Sequence, residues 1–164
     1  MYNISLDSCV RFRQTYDPNE HQVIINGGGA GCSAHLGYQH SRYQKIHFGG
    51  GCIERGVIKH ELLHALGFVH MHSDARRDDY VIIEWDNIQE GREHNFERYN
   101  NTDVTDFGVE YDYLSVLHYG SHAFSKNGRP TIISKRPDKR FGQRMGLTAL
   151  DTEKLNRAYC YKQK

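Results

Sequence analysis

At 164 residues, with 21 basic residues balanced by 20 acidic ones for a formal net charge of +1, the chain is long enough for one domain with a sizeable core. It carries no Lys/Arg run of the kind that forms a phosphate-binding stripe, which sets nucleic acid aside as a partner. No apolar stretch approaches the roughly 18 residues a membrane span needs, and Met1 is not followed by the apolar core of a signal peptide.

With no internal repeat and no low-complexity linker, a single domain over residues 1–164 is expected, with a functional division near His70. In chain order, Val23-Ile24-Ile25 and residues 43–48 read as strands, rich in β-branched and aromatic side chains. The run Gly27-Gly28-Gly29-Ala30-Gly31 between them matches neither GxGxxG nor GxxxxGK[ST] and reads as a structural bend. A second cluster, Gly49-Gly50-Gly51, precedes Cys52 and reads as the connection into a helix.

That helix carries the most informative stretch, His60-Glu61-Leu62-Leu63-His64-Ala65-Leu66-Gly67-Phe68-Val69-His70. Residues four apart share a helix face, so His60 and His64 can aim at one ion with Glu61 beside them. Gly67 can take positive φ and end the helix, turning the chain so that His70 supplies a third nitrogen. A fourth position then stays open for water, which is the composition of a catalytic zinc site. With 11 histidines in the chain, HExxH would arise by chance in roughly a few per cent of sequences, and the added Gly and third His lower that about a hundredfold. An ordinary amphipathic helix would account for Ile58, Leu62 and Leu66 but not for Gly67 and His70. Glu84 is the rival third ligand, but it sits in Tyr80-Val81-Ile82-Ile83-Glu84-Trp85, which reads as extended rather than helical.

Beyond His70 the pattern is irregular until Thr148, which with Asp151 three residues on resembles a capping box opening a terminal helix with Leu150, Leu155 and Tyr159. Four cysteines, Cys9, Cys32, Cys52 and Cys160, lack CxxC pairing, so disulfides are the default reading. Sequence alone leaves three pairings open; a bridge from Cys160, at the end of the terminal helix, to Cys9 would tie the two ends together. Two sequons, Asn3-Ile4-Ser5 and Asn100-Asn101-Thr102, agree with secretion. An extracellular protein would have lost its export signal or carry it outside this sequence.

Further stretches make the chain resemble an astacin-type zinc endopeptidase, one branch of the metzincins. They are Arg77-Asp78-Asp79-Tyr80-Val81 after the histidines, Asn87-Ile88-Gln89 with Glu93-His94-Asn95-Phe96, Tyr111-Asp112-Tyr113 leading into Ser115-Val116-Leu117-His118-Tyr119-Gly120, Phe124-Ser125-Lys126-Asn127-Gly128, Gly142-Gln143-Arg144, and residues 147–151. The resemblance implies an α+β fold: a small twisted mixed sheet, an active-site helix above a cleft with zinc at its base, and a mostly irregular lower half ending in a C-terminal helix. The upper part would span about 1–70 and the lower about 71–164. Tyr119 would complete the metal shell at rest and swing away to stabilise the transition state. Cys9 would pair with Cys160 and Cys32 with Cys52, and substrate would lie extended against an edge strand near Cys32 to Leu36.

Three departures stand out. Met71 replaces the glutamate that pairs with the buried amino terminus in the family, so that salt bridge cannot form. Leu117 replaces the methionine of the turn beneath the metal, an exchange of similar volume that the turn should survive. The chain begins within the family's first helix, leaving the opening strand outside the sequence. The expected function is endopeptidase cleavage of extracellular proteins by one zinc ion held by His60, His64, His70 and Tyr119, with Glu61 as general base and Tyr119 as oxyanion donor. The alternative is a catalytically impaired homologue acting as a binding or regulatory module, as Met71 and the missing front end would allow. A histidine-rich metal buffer fits poorly, because apart from His70 with His72 the other histidines are scattered.

Overall fold

The computed structural model describes residues 1–161, apart from the side chains of Tyr2 and Asn3, so the side chain of the sequon asparagine at position 3 lies outside what is described. Among the described residues the architecture is α+β, with two small sheets, three helices and several single 3-10 turns. Two units make up the chain: Met1–Phe68 with the segment from Arg144 onward, and Val69–Gln143.

The first unit opens with helix α1 (Tyr2–Asp7), followed by strands β1 (Gln22–Ala30), β2 (Cys32–Ala34) and β3 (Tyr43–Gly50). Strand β3 is central, parallel to β1 and antiparallel to β2. Its alternation aims Ile46 and Phe48 inward, at 0% and 7% exposure. The glycine run expected to bend the chain instead continues β1 as far as Ala30, with a break in register between Gly27 and Ala30. Bare backbone explains this. Gly28 and Gly29 take φ of +94° and +67°, and a Cβ on Gly49 of β3 would stand 2.7 Å from both the Ala30 carbonyl carbon and the Gly31 oxygen. Glycine on both strands lets the two backbones approach through a bulge that side chains would forbid.

Helix α2 (Arg55–Ala65) buries Leu62 and Leu63 at 2% exposure each. Helix α3 (Ala149–Tyr159) starts at Thr148 with the expected reciprocal bonds: the Asp151 N–H donates to Thr148 Oγ1 (2.9 Å) and the Thr148 N–H to Asp151 Oδ2 (3.1 Å). Leu155 on its inner face is fully buried. Disulfides join Cys9 to Cys160 and Cys32 to Cys52, the first closing a loop over a sequence separation of 151 and the second fixing β2 to the chain just before α2.

The second unit is mostly turns. Its regular part is the antiparallel pair β4 (Val81–Ile83) and β5 (Ile132–Ser134). Side-chain packing carries the rest: Met71, Val81, Ile83, Ile88, Phe96, Tyr111, Tyr113 and Ile132 form one buried cluster. Met71 therefore occupies an apolar environment, consistent with the loss of a charged partner at that position. Arg77, only 5% exposed, has its charge met locally: Nη1 donates to His72 O (3.0 Å) and Phe96 O (2.7 Å), and Nε pairs with Asp78 (2.6 Å). Among the described residues no helix is long and apolar enough to cross a membrane.

One contact in the first unit generates a test. A Cβ on Gly56, in the first turn of α2, would lie 1.6 Å from the Arg144 carbonyl oxygen. Alanine normally stabilises a helix relative to glycine by up to about 1 kcal/mol. Gly56→Ala should instead destabilise by about 3 kcal/mol in urea unfolding, because backbone rather than a flexible side chain must give way.

Candidate metal centre

Helix periodicity puts His60 and His64 on one face of α2, with Nε2 atoms 3.0 Å apart and exposures of 7% and 8%. The helix ends on two reversing hydrogen bonds, Gly67 N–H to His64 O (2.8 Å) and Phe68 N–H to Leu63 O (3.0 Å), the pattern of a Schellman motif. Gly67 supplies the required left-handed residue, at φ +92°. The carbonyls left over at the helix end find partners too: Gln44 Nε2 donates to Ala65 O (2.5 Å) and the Tyr159 hydroxyl to Leu66 O (2.6 Å). Three residues past the turning glycine, His70 returns to the first two. One ligand atom from each of His60, His64 and His70 lies within 4.8 Å of the others. Glu84 is absent from that cluster. It follows β4, and its N–H donates to Thr131 O (2.9 Å).

The protonation of His64 favours a cation. His64 Nδ1 lies 2.7 Å from Phe68 O, and since a carbonyl only accepts, Nδ1 carries the hydrogen and Nε2 presents its lone pair. Burial lowers the His64 pKa, keeping the ring in the neutral form that ligates. Glu61 is 5% exposed, and its Oε2 is buried without a hydrogen-bond partner. Burial pushes its carboxyl up to about 7, with Arg144 acting in the opposite sense. Leaving such an oxygen unmet costs about 1–3 kcal/mol unless an adjacent group satisfies it. Three converging imidazoles beside an unmet buried carboxylate oxygen match the donor set of a catalytic zinc ion.

Tyr119 follows a tight turn in the second unit. The Leu117 N–H donates to Ser115 Oγ (3.1 Å) and the His118 N–H to Ser115 O (3.0 Å), while Leu117 O accepts from the Met71 N–H (3.1 Å). Leu117, 5% exposed, fills the place in this turn expected of methionine. The Tyr119 ring stacks on His72 (centroids 4.0 Å apart, 27°) and lies 4.5 Å from the His70 ring, with Phe96 and Phe124 at 5.9 and 5.7 Å. The predicted tyrosine thus sits against the third histidine.

Two features escaped the sequence. Arg144 biases both Glu61 and His64 electrostatically. Arg144 stood in the sequence only as part of a matching stretch, and its placement is tied to Gly56, a poor helix former whose missing side chain admits the Arg144 backbone. His72, noted in the sequence only as a neighbour of His70, and His118, seen there only within a matching stretch, are both fully buried.

A family model described as Astacin, a family of peptidases, matches residues 1–160. The chain is 43% identical over 161 residues to zinc metalloproteinase nas-15 of Caenorhabditis elegans, an alignment covering 97% of this chain and 28% of that protein. It is 47% identical over 160 residues to protein SpAN of Strongylocentrotus purpuratus, covering 93% of this chain and 26% of that one. The chain thus spans between a quarter and a third of the length of these relatives. Among solved structures, high choriolytic enzyme 1, a hatching enzyme zinc-protease from Oryzias latipes, superposes with a TM-score of 0.84 at 36% identity, covering 95% of this chain and 76% of that one. Astacin-family peptidases are zinc metalloendopeptidases, and the His60, His64 and His70 cluster is the zinc-binding triad. By the extent of the family match and the level of these identities, this chain belongs to the astacin family of peptidases.

Proposed function

We propose that the chain is a secreted zinc-dependent endopeptidase that hydrolyses internal peptide bonds of extracellular proteins. The observation that carries this reading is the three-histidine cluster flanked by the buried, unpartnered Glu61 Oε2. His60, His64 and His70 would hold the zinc, which when bound would supply Lewis acidity for the attacking water and the scissile carbonyl. Glu61 takes the proton of that water as its oxygen adds to the carbonyl carbon. It returns the proton to the amide nitrogen as the C–N bond breaks, so the carboxylate is regenerated. A carboxyl raised by burial is suited to both halves of that exchange.

Tyr119 would be a further ligand to the bound metal and would donate its hydroxyl to the oxyanion as charge develops. Its position against the His70 ring supports this assignment. Substrate adds antiparallel to the chain near Cys32 to Leu36, where β2 is a terminal strand of its sheet with one edge paired to β3. Secretion is supported by both disulfides and by the Asn100 sequon on an exposed turn.

The test is cleavage of an unstructured protein by the purified chain beside its zinc content, with and without a chelator. Glu61→Ala should keep one zinc and lose hydrolysis, while His64→Ala should lose both. Hydrolysis retained by purified Glu61→Ala would refute the general-base assignment. Tyr119→Phe should lower kcat by about 10²–10³ with KM nearly unchanged, since the hydroxyl acts in the transition state. A change confined to KM would count against that role.

A further inference from the structure

Tyr111, His118 and Tyr119 form one hydrogen-bonded line within the second unit. His118 Nδ1 lies 2.8 Å from the Tyr119 carbonyl oxygen, which can only accept, so Nδ1 carries the hydrogen. The other nitrogen of the neutral ring, Nε2, then holds a lone pair 2.8 Å from the Tyr111 hydroxyl, which donates to it. Both residues are out of water, with His118 at 0% exposure and Tyr111 at 6%. Burial, with Asp74 and Tyr113 nearby, pushes the Tyr111 hydroxyl far above the ordinary tyrosine range, so it stays a donor.

The far end of the line is anchored in the core. The Tyr111 ring stacks on Tyr80 (4.3 Å, 6°), whose carbonyl accepts from the Tyr113 hydroxyl (2.7 Å). The ring of His118 packs on Phe141 (4.6 Å). The Tyr119 backbone is therefore held by short, directional bonds. Its ring packs against His70, His72, Phe96 and Phe124. A backbone held in this way gives the side chain a fixed origin.

We propose that Tyr111 and His118 are positioning residues that brace the Tyr119 backbone as a fixed pivot, so that the hydroxyl alternates between the metal and the reacting carbonyl oxygen. This rests on the role given to Tyr119 above, and both residues act through it.

Exchanging zinc for Cu²⁺ gives a readout independent of turnover, because a phenolate bound to Cu²⁺ produces a charge-transfer absorption. Tyr111→Phe removes one oxygen and keeps the ring on Tyr80. It should weaken or shift that band with one Cu²⁺ still bound. In the zinc form it should lower kcat on an unstructured protein about two- to tenfold, the rate equivalent of one net hydrogen bond, with KM unchanged. Introduced into His118→Asn, which removes the acceptor of the Tyr111 hydroxyl, the same substitution should cause no further change. A Tyr111→Phe protein with an unaltered band and kcat, even one of lowered Tm, would overturn the brace. A band missing from the wild type, or surviving in Tyr119→Phe, would instead take Tyr119 off the metal, and the brace would fall with it.

Discussion

The site depends on how one helix stops. His60 and His64 come together by helix periodicity alone, but two imidazoles make an incomplete catalytic zinc site. The third depends on the two reversing bonds at Gly67 and Phe68, which abandon the helix after Leu66 and return His70 to the other two imidazoles. A β-carbon at position 67 would be strained at φ +92°. The neighbourhood reinforces the turn. The His64 carbonyl that accepts from Gly67 also accepts from the Gly37 N–H (2.9 Å), and Phe68, which closes the turn, offers its own carbonyl to His64 Nδ1. The residues that end the helix thus also set the tautomer of a ligand, and backbone geometry and metal chemistry share the same few atoms.

Local signals were legible in the sequence for a physical reason: each is a short-range pattern with a single structural solution. The spacing from His60 to His64, the placed Gly67, and Thr148 with Asp151 all correspond to features in which the partners lie within one or two turns of chain. The strand reading of residues 80–85 succeeded only at Val81–Ile83, the part that pairs with β5. The glycine run was misread because glycine weakens most strands. Here the opposite strand also carries glycine at position 49, and that second fact emerges only when β1 and β3 are laid side by side.

Long-range placements stayed hidden. Arg144 reaches the neighbourhood of Glu61 because its backbone rides over Gly56, a contact between distant parts of the chain with no periodic signature. Tyr111 and His118 were visible only as parts of the matching motifs, and nothing in their spacing announces a hydrogen bond from a phenol to an imidazole. The disulfide partners were open from sequence for the same reason and followed only from the resemblance. The two unusual residues, Met71 and Leu117, are both accommodated as buried apolar side chains, each 5% exposed, one in the second unit's core and one in the turn before Tyr119.

The most direct measurement of the metal centre is X-ray absorption at the zinc edge on the purified, zinc-loaded chain. Three imidazole nitrogens at about 2.0–2.1 Å, with oxygen completing the shell and no sulfur, are expected. A shell with only two imidazoles, in the wild type or unchanged on replacing His70, would contradict a three-histidine centre.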